Sequence, residues 1–235
     1  MNNSIYTTKI KLFNSYFDCN DKIKPTAIFN IFQDVACVHG EQIGVGYLEM
    51  LSKNLYWVLS RVKYDILKHP KIDEEVTIET WPLTKGRIDF DRDFLIKNEH
   101  GEVLIKGTSK WCVISSITRS LERTDNVTYN CECLTKQNYP EKFVKTETCE
   151  ILEKPSLTHK VNFSEIDHNK HLNNVNYATF TTNVLRENYF NHLQINFISE
   201  CKLDDEIKIY YKTTANGYVI SGYVNNILKF SALAK

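Results

Sequence analysis

The chain predicts an α+β fold built as two similar halves, and three observations carry that expectation. A short Asp-x-Asn-x-basic motif occurs twice, a helix-like pattern follows each copy, and strand-like runs separated by turn signals follow each helix. The first copy is Phe17-Asp18-Cys19-Asn20-Asp21-Lys22 and the second is Ile166-Asp167-His168-Asn169-Lys170-His171, both reading apolar-Asp-x-Asn-x-basic. A short alternating segment precedes each, Lys9 to Phe13 and Lys160 to Phe163. After the first copy, Ile28, Phe29, Ile31, Phe32, Val35 and Val38 recur at helical spacing, with Pro25 near the start, where a missing N–H costs little. After the second, the chain from Val175 to about Tyr189 has few breakers, and Asn173 and Asn174 are candidate caps.

Strand-like runs follow: Tyr56 to Ile66, Glu75 to Trp81, Ile88 to Lys97 and Val103 to Ser115 in the first half. The second half has Gln194 to Lys202, Glu206 to Thr214, Tyr218 to Val224 and Ile227 to Ala232. Asn98-Glu99-His100-Gly101, Asn216-Gly217 and Asn225-Asn226 are turn signals between them. One long helix laid across one antiparallel sheet covers one apolar face, which gives an α+β layer. The stretch 126–155 has mixed charges, two prolines and weak periodicity, and reads as a connector. The expected organisation is therefore a domain at 1–125, a connector at 126–155 and a domain at 156–235.

Composition excludes several classes. Of 235 residues, 42% are hydrophobic and 25% charged, ordinary for a globular chain. No apolar run reaches the roughly 18 residues that a membrane span needs. The start, Met1-Asn2-Asn3-Ser4-Ile5-Tyr6, has no apolar signal core, so a cytoplasmic protein is expected. Lys+Arg and Asp+Glu are both 29, which argues against a nucleic-acid binder. Seven scattered cysteines read as reduced thiols. Cys131-Glu132-Cys133 lacks a second ligand pair, so no metal is expected.

The two motif copies differ chemically: Lys22 stands where the second copy has His171. An imidazole exchanges protons near neutral pH and an ordinary lysine does not, which places the chemistry in the second copy. If the segment is extended, Asp167, Asn169 and His171 point to one side, beside the free N–H groups of a helix start. Further on, Glu200 precedes Cys201 in what reads as a strand. The apolar helix face with Ile28, Phe29, Phe32 and Val35 suits either a packed core or an apolar tunnel.

Taken together, Asp167-His168-Asn169-Lys170-His171-Leu172-Asn173-Asn174-Val175-Asn176-Tyr177 followed by Glu200-Cys201 resembles the acyl-acyl-carrier-protein thioesterases. Gln33-Asp34-Val35-Ala36, His39, Gly44-x-Gly46, Trp57-Val58-Leu59-Ser60-Arg61, Glu79-Thr80-Trp81-Pro82, Arg92-Asp93-Phe94 and Trp111-Cys112-Val113 resemble the same family in order. The resemblance implies two tandem hotdog domains, each a long helix wrapped by an antiparallel sheet. It implies hydrolysis of the thioester joining a fatty acyl chain to acyl carrier protein, with Asp167, Asn169, His171 and Glu200 as catalytic residues and Cys201 beside them. Glu200 or Asp167 would act as base or nucleophile, Asn169 would bind the carbonyl oxygen, and His171 would move a proton. A papain-like role for Cys201 is the weaker alternative.

The acyl chain is expected in the first domain, along Ile28, Phe32, Val35, Trp57 and Leu59. An acidic carrier protein would meet a basic entrance, with Lys22, Lys24, Lys170 and Arg61 as candidates. No cofactor is implied, because the phosphopantetheine arm arrives with the substrate; a homodimer is compatible with the reading. Rival readings are an acyl-coenzyme A thioesterase, a hydratase on the same fold, which these motifs fit poorly, and a non-catalytic acyl sensor.

Overall fold

The computed structural model describes residues 4–186 and 189–235. Two compact units divide the chain, Met1–Lys142 and Phe143–Lys235. Among the described residues, the first holds strands β1 (Tyr6–Lys11), β2 (Leu55–Ile66), β3 (Glu75–Pro82), β4 (Phe90–Lys97) and β5 (Val103–Ser115), with helices α1 (Pro25–Gln42) and α2 (Tyr47–Ser52). Its strands are antiparallel in the order β1-β3-β4-β5-β2. The second holds β6 (Leu157–Lys160), α3 (Val175–Leu185), β7 (His192–Phe197), β8 (Glu206–Thr214), β9 (Gly217–Val224) and β10 (Ile227–Ala234). Its order is β6-β8-β9-β10-β7, again antiparallel. Strand for strand, this is the order of the first unit, and the class is α+β.

Helix α1 starts where the sequence requires. Lys24 is extended, as a residue before proline must be, and Pro25 takes the first helical position. Ala27, Ile28, Ile31, Phe32, Val35 and His39 form its buried face. Phe32 stacks on Phe94 of β4, ring centroids 4.3 Å apart, a contact worth about 0.5–1.5 kcal/mol beyond area burial. Gly107 of β5 provides the room: a Cβ there would lie 2.2 Å from the Phe32 ring. Past the C-cap Ile43, Gly44 takes φ +78°, the left-handed region that glycine tolerates, and turns the chain out of the helix.

Helix α3 is shorter than its pattern predicts. It stops at Leu185, and Arg186 adopts φ 52°; residues 187 and 188, inside the expected helix, lie outside the described residues. Its hydroxyl-bearing residues explain the weakness: Thr181 and Thr182 each donate to a carbonyl one turn back, a bond that gains little for a helix. Tertiary packing holds it instead, with Tyr177 edge-on to Phe197 and Phe230 at 5.2 and 5.1 Å. The expected caps divide unequally: the Asn173 side chain accepts from the Val175 N–H at 3.0 Å, whereas Asn174 makes no side-chain capping bond.

The first strand of each unit lies earlier than expected, at Tyr6–Lys11 and Leu157–Lys160, because the ends of the alternating segments turn into 3-10 turns, Phe13 capping that at Asn14–Tyr16 and Asn162 that at Phe163–Glu165. The stretch 126–155 contains no α-helix or strand among the described residues, but it is fastened throughout. Trp81 donates to the Lys136 carbonyl at 2.8 Å, and the Asn138 amide bonds the carbonyls of Phe94 and Gly107. In the second unit, Gln194 donates to the Val144 carbonyl and the Tyr223 hydroxyl to that of Cys149.

Candidate active site

The segment Asp167–His171 folds as a turn, which corrects the extended backbone expected from its alternation. Asp167 donates its N–H to the His171 carbonyl at 2.8 Å, Lys170 donates to the Asp167 carbonyl at 3.0 Å, and Ile166 bridges Leu172. The Asp167 carboxylate turns inward: Oδ1 accepts the N–H groups of Asn169 at 2.8 Å and His171 at 3.2 Å. An aspartate that finds local backbone donors gains charge-assisted bonds that an extended chain cannot offer it. Lys170 completes the turn at φ 65°.

The first unit repeats this construction. Asp18 donates to the Lys22 carbonyl at 2.8 Å, and its Oδ1 accepts from Asn20 and Lys22 at 2.8 and 2.9 Å. Asp21 has φ 55°, and Phe17 bridges Ile23. The turn therefore forms equally well with a lysine at its end, and the aspartate's bonds in both copies are architectural.

The second copy differs in two ways. Asn169 is half-buried, and its side-chain amide makes no hydrogen bond with any described residue, whereas the Asn20 amide reaches the Cys19 sulfur at 3.3 Å. His171 meets an acid: its Nε2 is 2.8 Å from Glu200 Oε2, with side-chain exposures of 23% and 38%. With Glu200 ionised, Nε2 carries the proton and Nδ1 is left to exchange one with a ligand.

Glu200 is not on a strand, as its sequence context suggested. Strand β7 stops at Phe197, and Ile198 and Ser199 both donate to the Lys229 carbonyl, which takes the chain out of the ladder. The Lys229 ammonium holds the Glu200 carbonyl at 2.9 Å, and Lys202 lies 3.5 Å from Glu200 Oε1. Cys201 is fully buried, and burial pushes its thiol pKa above the usual range. Its carbonyl accepts the Leu172 N–H at 2.9 Å, so the residue after Glu200 is bonded to the residue after His171.

Of the residues expected to face an acyl chain, Ile28, Phe32 and Val35 are buried in the packing of α1, while Trp57 and Leu59 of β2 are half-buried. Trp57 donates to the Val45 carbonyl at 2.9 Å and packs edge-on against Phe90 at 4.9 Å. It borders an apolar cluster of Ile43, Val45, Met50, Phe90, Val113 and Val127.

Sequence reasoning missed two features. A second imidazole–carboxylate pair joins His159 and Glu165 at 2.8 Å. Burial raises the Glu165 pKa, but bonds from the Asn162 N–H and His159 outweigh it and draw the carboxyl below its usual range. The Asn162-x-x-Glu165 capping box was the available signal. The other is Tyr177 in the first turn of α3, buried edge-on against Phe180, Phe197 and Phe230. Among the described residues no group of three or more His, Cys, Asp or Glu could hold a metal ion, and no helix is long and apolar enough to cross a membrane.

Comparison with known proteins bears on this geometry. Residues 3–130 match the family model for the acyl-ACP thioesterase N-terminal domain, and residues 150–231 match that for the C-terminal domain. The chain belongs to the acyl-ACP thioesterase family. It is 32% identical over 200 residues to oleoyl-acyl carrier protein thioesterase 2, chloroplastic, of Arabidopsis thaliana, covering 76% of this chain and 54% of that protein. It is 28% identical over 222 residues to oleoyl-acyl carrier protein thioesterase 1, chloroplastic, of the same plant, covering 83% and 61%. The chain thus spans between half and two thirds of the length of these relatives. In fold it is similar to an acyl-ACP thioesterase from Bacteroides thetaiotaomicron, with a TM-score of 0.86 at 20% identity over 98% of this chain and 97% of that one. The 12:0-ACP thioesterase of Umbellularia californica gives a TM-score of 0.83 at 16% identity, covering 100% and 98%.

Proposed function

We propose that this chain hydrolyses the thioester of fatty acyl-acyl carrier protein, releasing free fatty acid and ending chain elongation, on two tandem hotdog domains. The observation that carries the reading is the 2.8 Å contact between His171 and Glu200 beside the unengaged amide of Asn169, in a member of this family. The His171–Glu200 pair takes a proton from water, and the water oxygen bonds to the thioester carbonyl carbon. Asn169 donates its amide to the oxyanion, a contact of the kind whose loss costs about 3–4 kcal/mol. The C–S bond then breaks, and the pair returns its proton to the phosphopantetheine thiolate. The balance is water and thioester in, carboxylic acid and thiol out.

Asp167 suits the base role less well, because its Oδ1 is engaged by two backbone N–H groups. It sets the turn that aims Asn169 and His171. A buried thiol with a raised pKa is a poor nucleophile, which supports a water mechanism over a papain-like one. In the first unit the apolar cluster edged by Trp57, with Leu59 and the α1 residues Ile28, Phe32 and Val35, would receive the acyl chain. No cofactor of the protein's own enters any step.

The test offers the chain matched acyl-carrier-protein and acyl-coenzyme A substrates and measures released acid by mass spectrometry. Faster turnover of the carrier-protein substrates supports the reading. Preference for coenzyme A substrates would make this an acyl-CoA thioesterase, and tight acyl binding without turnover would make it a sensor.

A further inference from the structure

We propose that Lys229 is a positioning residue for the His171–Glu200 pair, acting through the main chain of Glu200. This inference rests on the thioesterase reading above. Lys229 is the extra residue of a β-bulge: Leu228 of β10 pairs with Tyr223 of β9 and Phe230 with Gly222, and Lys229 falls between them. The bulge offers its carbonyl to the end of β7, where the N–H groups of Ile198 and Ser199 donate to it at 2.9 and 3.2 Å. The Ser199 hydroxyl donates to the Leu228 carbonyl at 3.2 Å. One residue further along the departing chain, the Lys229 ammonium donates to the Glu200 carbonyl at 2.9 Å. Lys229 thus holds this segment twice, first by its own main chain and then by its side chain.

The first unit shows what the bulge itself needs. Leu104 of β5 falls between Val103, paired with Lys97, and Ile105, paired with Ile96. Its carbonyl accepts the N–H groups of Leu67 and Lys68 at 2.8 and 3.1 Å. Residue for residue, Leu104 stands at the place of Lys229 and His69 at that of Glu200. A leucine therefore makes the bulge and releases the strand as well as a lysine does. The ammonium is an addition confined to the unit that carries the imidazole–acid pair. Among the described residues it forms no ion pair; its one hydrogen bond goes to a main-chain carbonyl, at the cost of ordering a long flexible stem. What that bond fixes is the peptide plane leaving Glu200, and with it the direction of the Glu200 side chain. On the far side the Cys201 carbonyl takes the Leu172 N–H at 2.9 Å, so the segment is clamped between the bulge and the residue after His171. The His171–Glu200 and Glu200–Lys202 pairs are too exposed to set the 2.8 Å approach by themselves.

The test compares Lys229→Leu, which installs the residue of the first unit, with Lys229→Met, Lys229→Arg and the unaltered protein. The first readout needs no substrate: the ring-nitrogen resonances of His171 in nitrogen-15-labelled protein, assigned by their absence in His171→Gln and read in alkaline buffer. In the unaltered protein they report the proton on Nε2. Lys229→Leu and Lys229→Met move them toward a mixture of the two tautomers, while the thermal midpoint stays close to that of the unaltered protein. In turnover, both variants lower kcat about tenfold with KM within about twofold, and Lys229→Arg, which keeps a charged donor, recovers most of the loss. The loss is the same on acyl-carrier-protein and on acyl-pantetheine, a thioester without the acidic carrier. Unchanged kcat and unchanged His171 resonances in Lys229→Leu overturn the proposal, as does an arginine variant that falls as far as the leucine one. A rise in KM confined to the carrier-protein substrate also overturns it, and makes Lys229 a docking residue. If the unaltered protein hydrolyses no thioester while the resonances still depend on Lys229, the functional reading fails and the positioning stands.

Discussion

Asp18 and Asp167 close the same turn in the two units: each carboxylate accepts the N–H groups two and four residues ahead, at 2.8 and 2.9 Å in one copy and 2.8 and 3.2 Å in the other. One copy ends in lysine and the other in histidine, so the pair separates what the turn needs from what the chemistry needs.

The first prediction follows directly. Asp167→Asn keeps a side-chain oxygen for both N–H groups and retains most turnover. Asp167→Ala leaves them without an acceptor and loses most kcat, while Asp18→Ala costs about 1 kcal/mol of stability. Steady-state kinetics and denaturant midpoints on the three variants check this; equal loss in Asp167→Asn and Asp167→Ala would return a chemical role to the carboxylate.

His171→Ala and Glu200→Gln should each lower kcat by about 10²–10⁴. The thermal midpoint should barely move, because a pair this exposed contributes at most about 1 kcal/mol. Calorimetry beside single-turnover acid release separates the two effects, and a large loss of stability in either variant would contradict the assignment.

Asn169→Ala removes the amide that no described residue engages. A kcat loss of about 10²–10³ with little change in KM is expected of an oxyanion donor. A rise in KM alone would assign the amide to uniform substrate binding instead.

Asp93 of β4 makes a prediction about pH. It is 1% exposed, Oδ1 has no hydrogen-bond partner among the described residues, and Oδ2 accepts the Asn138 N–H. Burial raises its pKa from 3.8 to about 6, against the opposing bond from the Asn138 N–H. The folded state thus binds this proton more tightly than the unfolded state. Its contribution favours folding below the unfolded value and is lost as pH rises from about 4 to about 6, by an amount on the order of 1–3 kcal/mol. Urea midpoints across that range should show this component vanish in Asp93→Asn; an unchanged slope would mean that Asp93 does not carry it.

Helix α1 and most strands were legible, and Val103–Ser115 and Glu206–Thr214 keep their expected bounds, each set off by a turn signal at one end. The Asp167 turn was not, since polar residues at alternate positions suit a strand and an Asx turn equally, and only the backbone donors decide. Glu200 was read onto a strand because no glycine or proline interrupts the run from Gln194 to Lys202, while the ladder ends when Ile198 and Ser199 share one carbonyl. Helix α2, Tyr47–Ser52, is too short for a period to show. The four polar residues of the candidate site were legible as types and order; the packing of Tyr177 against Phe197 and Phe230 is tertiary and left no local trace.

Strand β2 runs 12 residues where β7 runs 6. The chain leaving β2 reads Leu67-Lys68-His69-Pro70, with no acid to play the part of Glu200. Exchanging Lys22 for histidine would therefore plant an imidazole without a companion. Both strands let go of their neighbours alike, Leu67 and Lys68 sharing the Leu104 carbonyl as Ile198 and Ser199 share that of Lys229. The duplicated plan is broken by residue type, His69 standing at the place of Glu200, and a designer wishing to awaken the silent half would need His69→Glu beside Lys22→His.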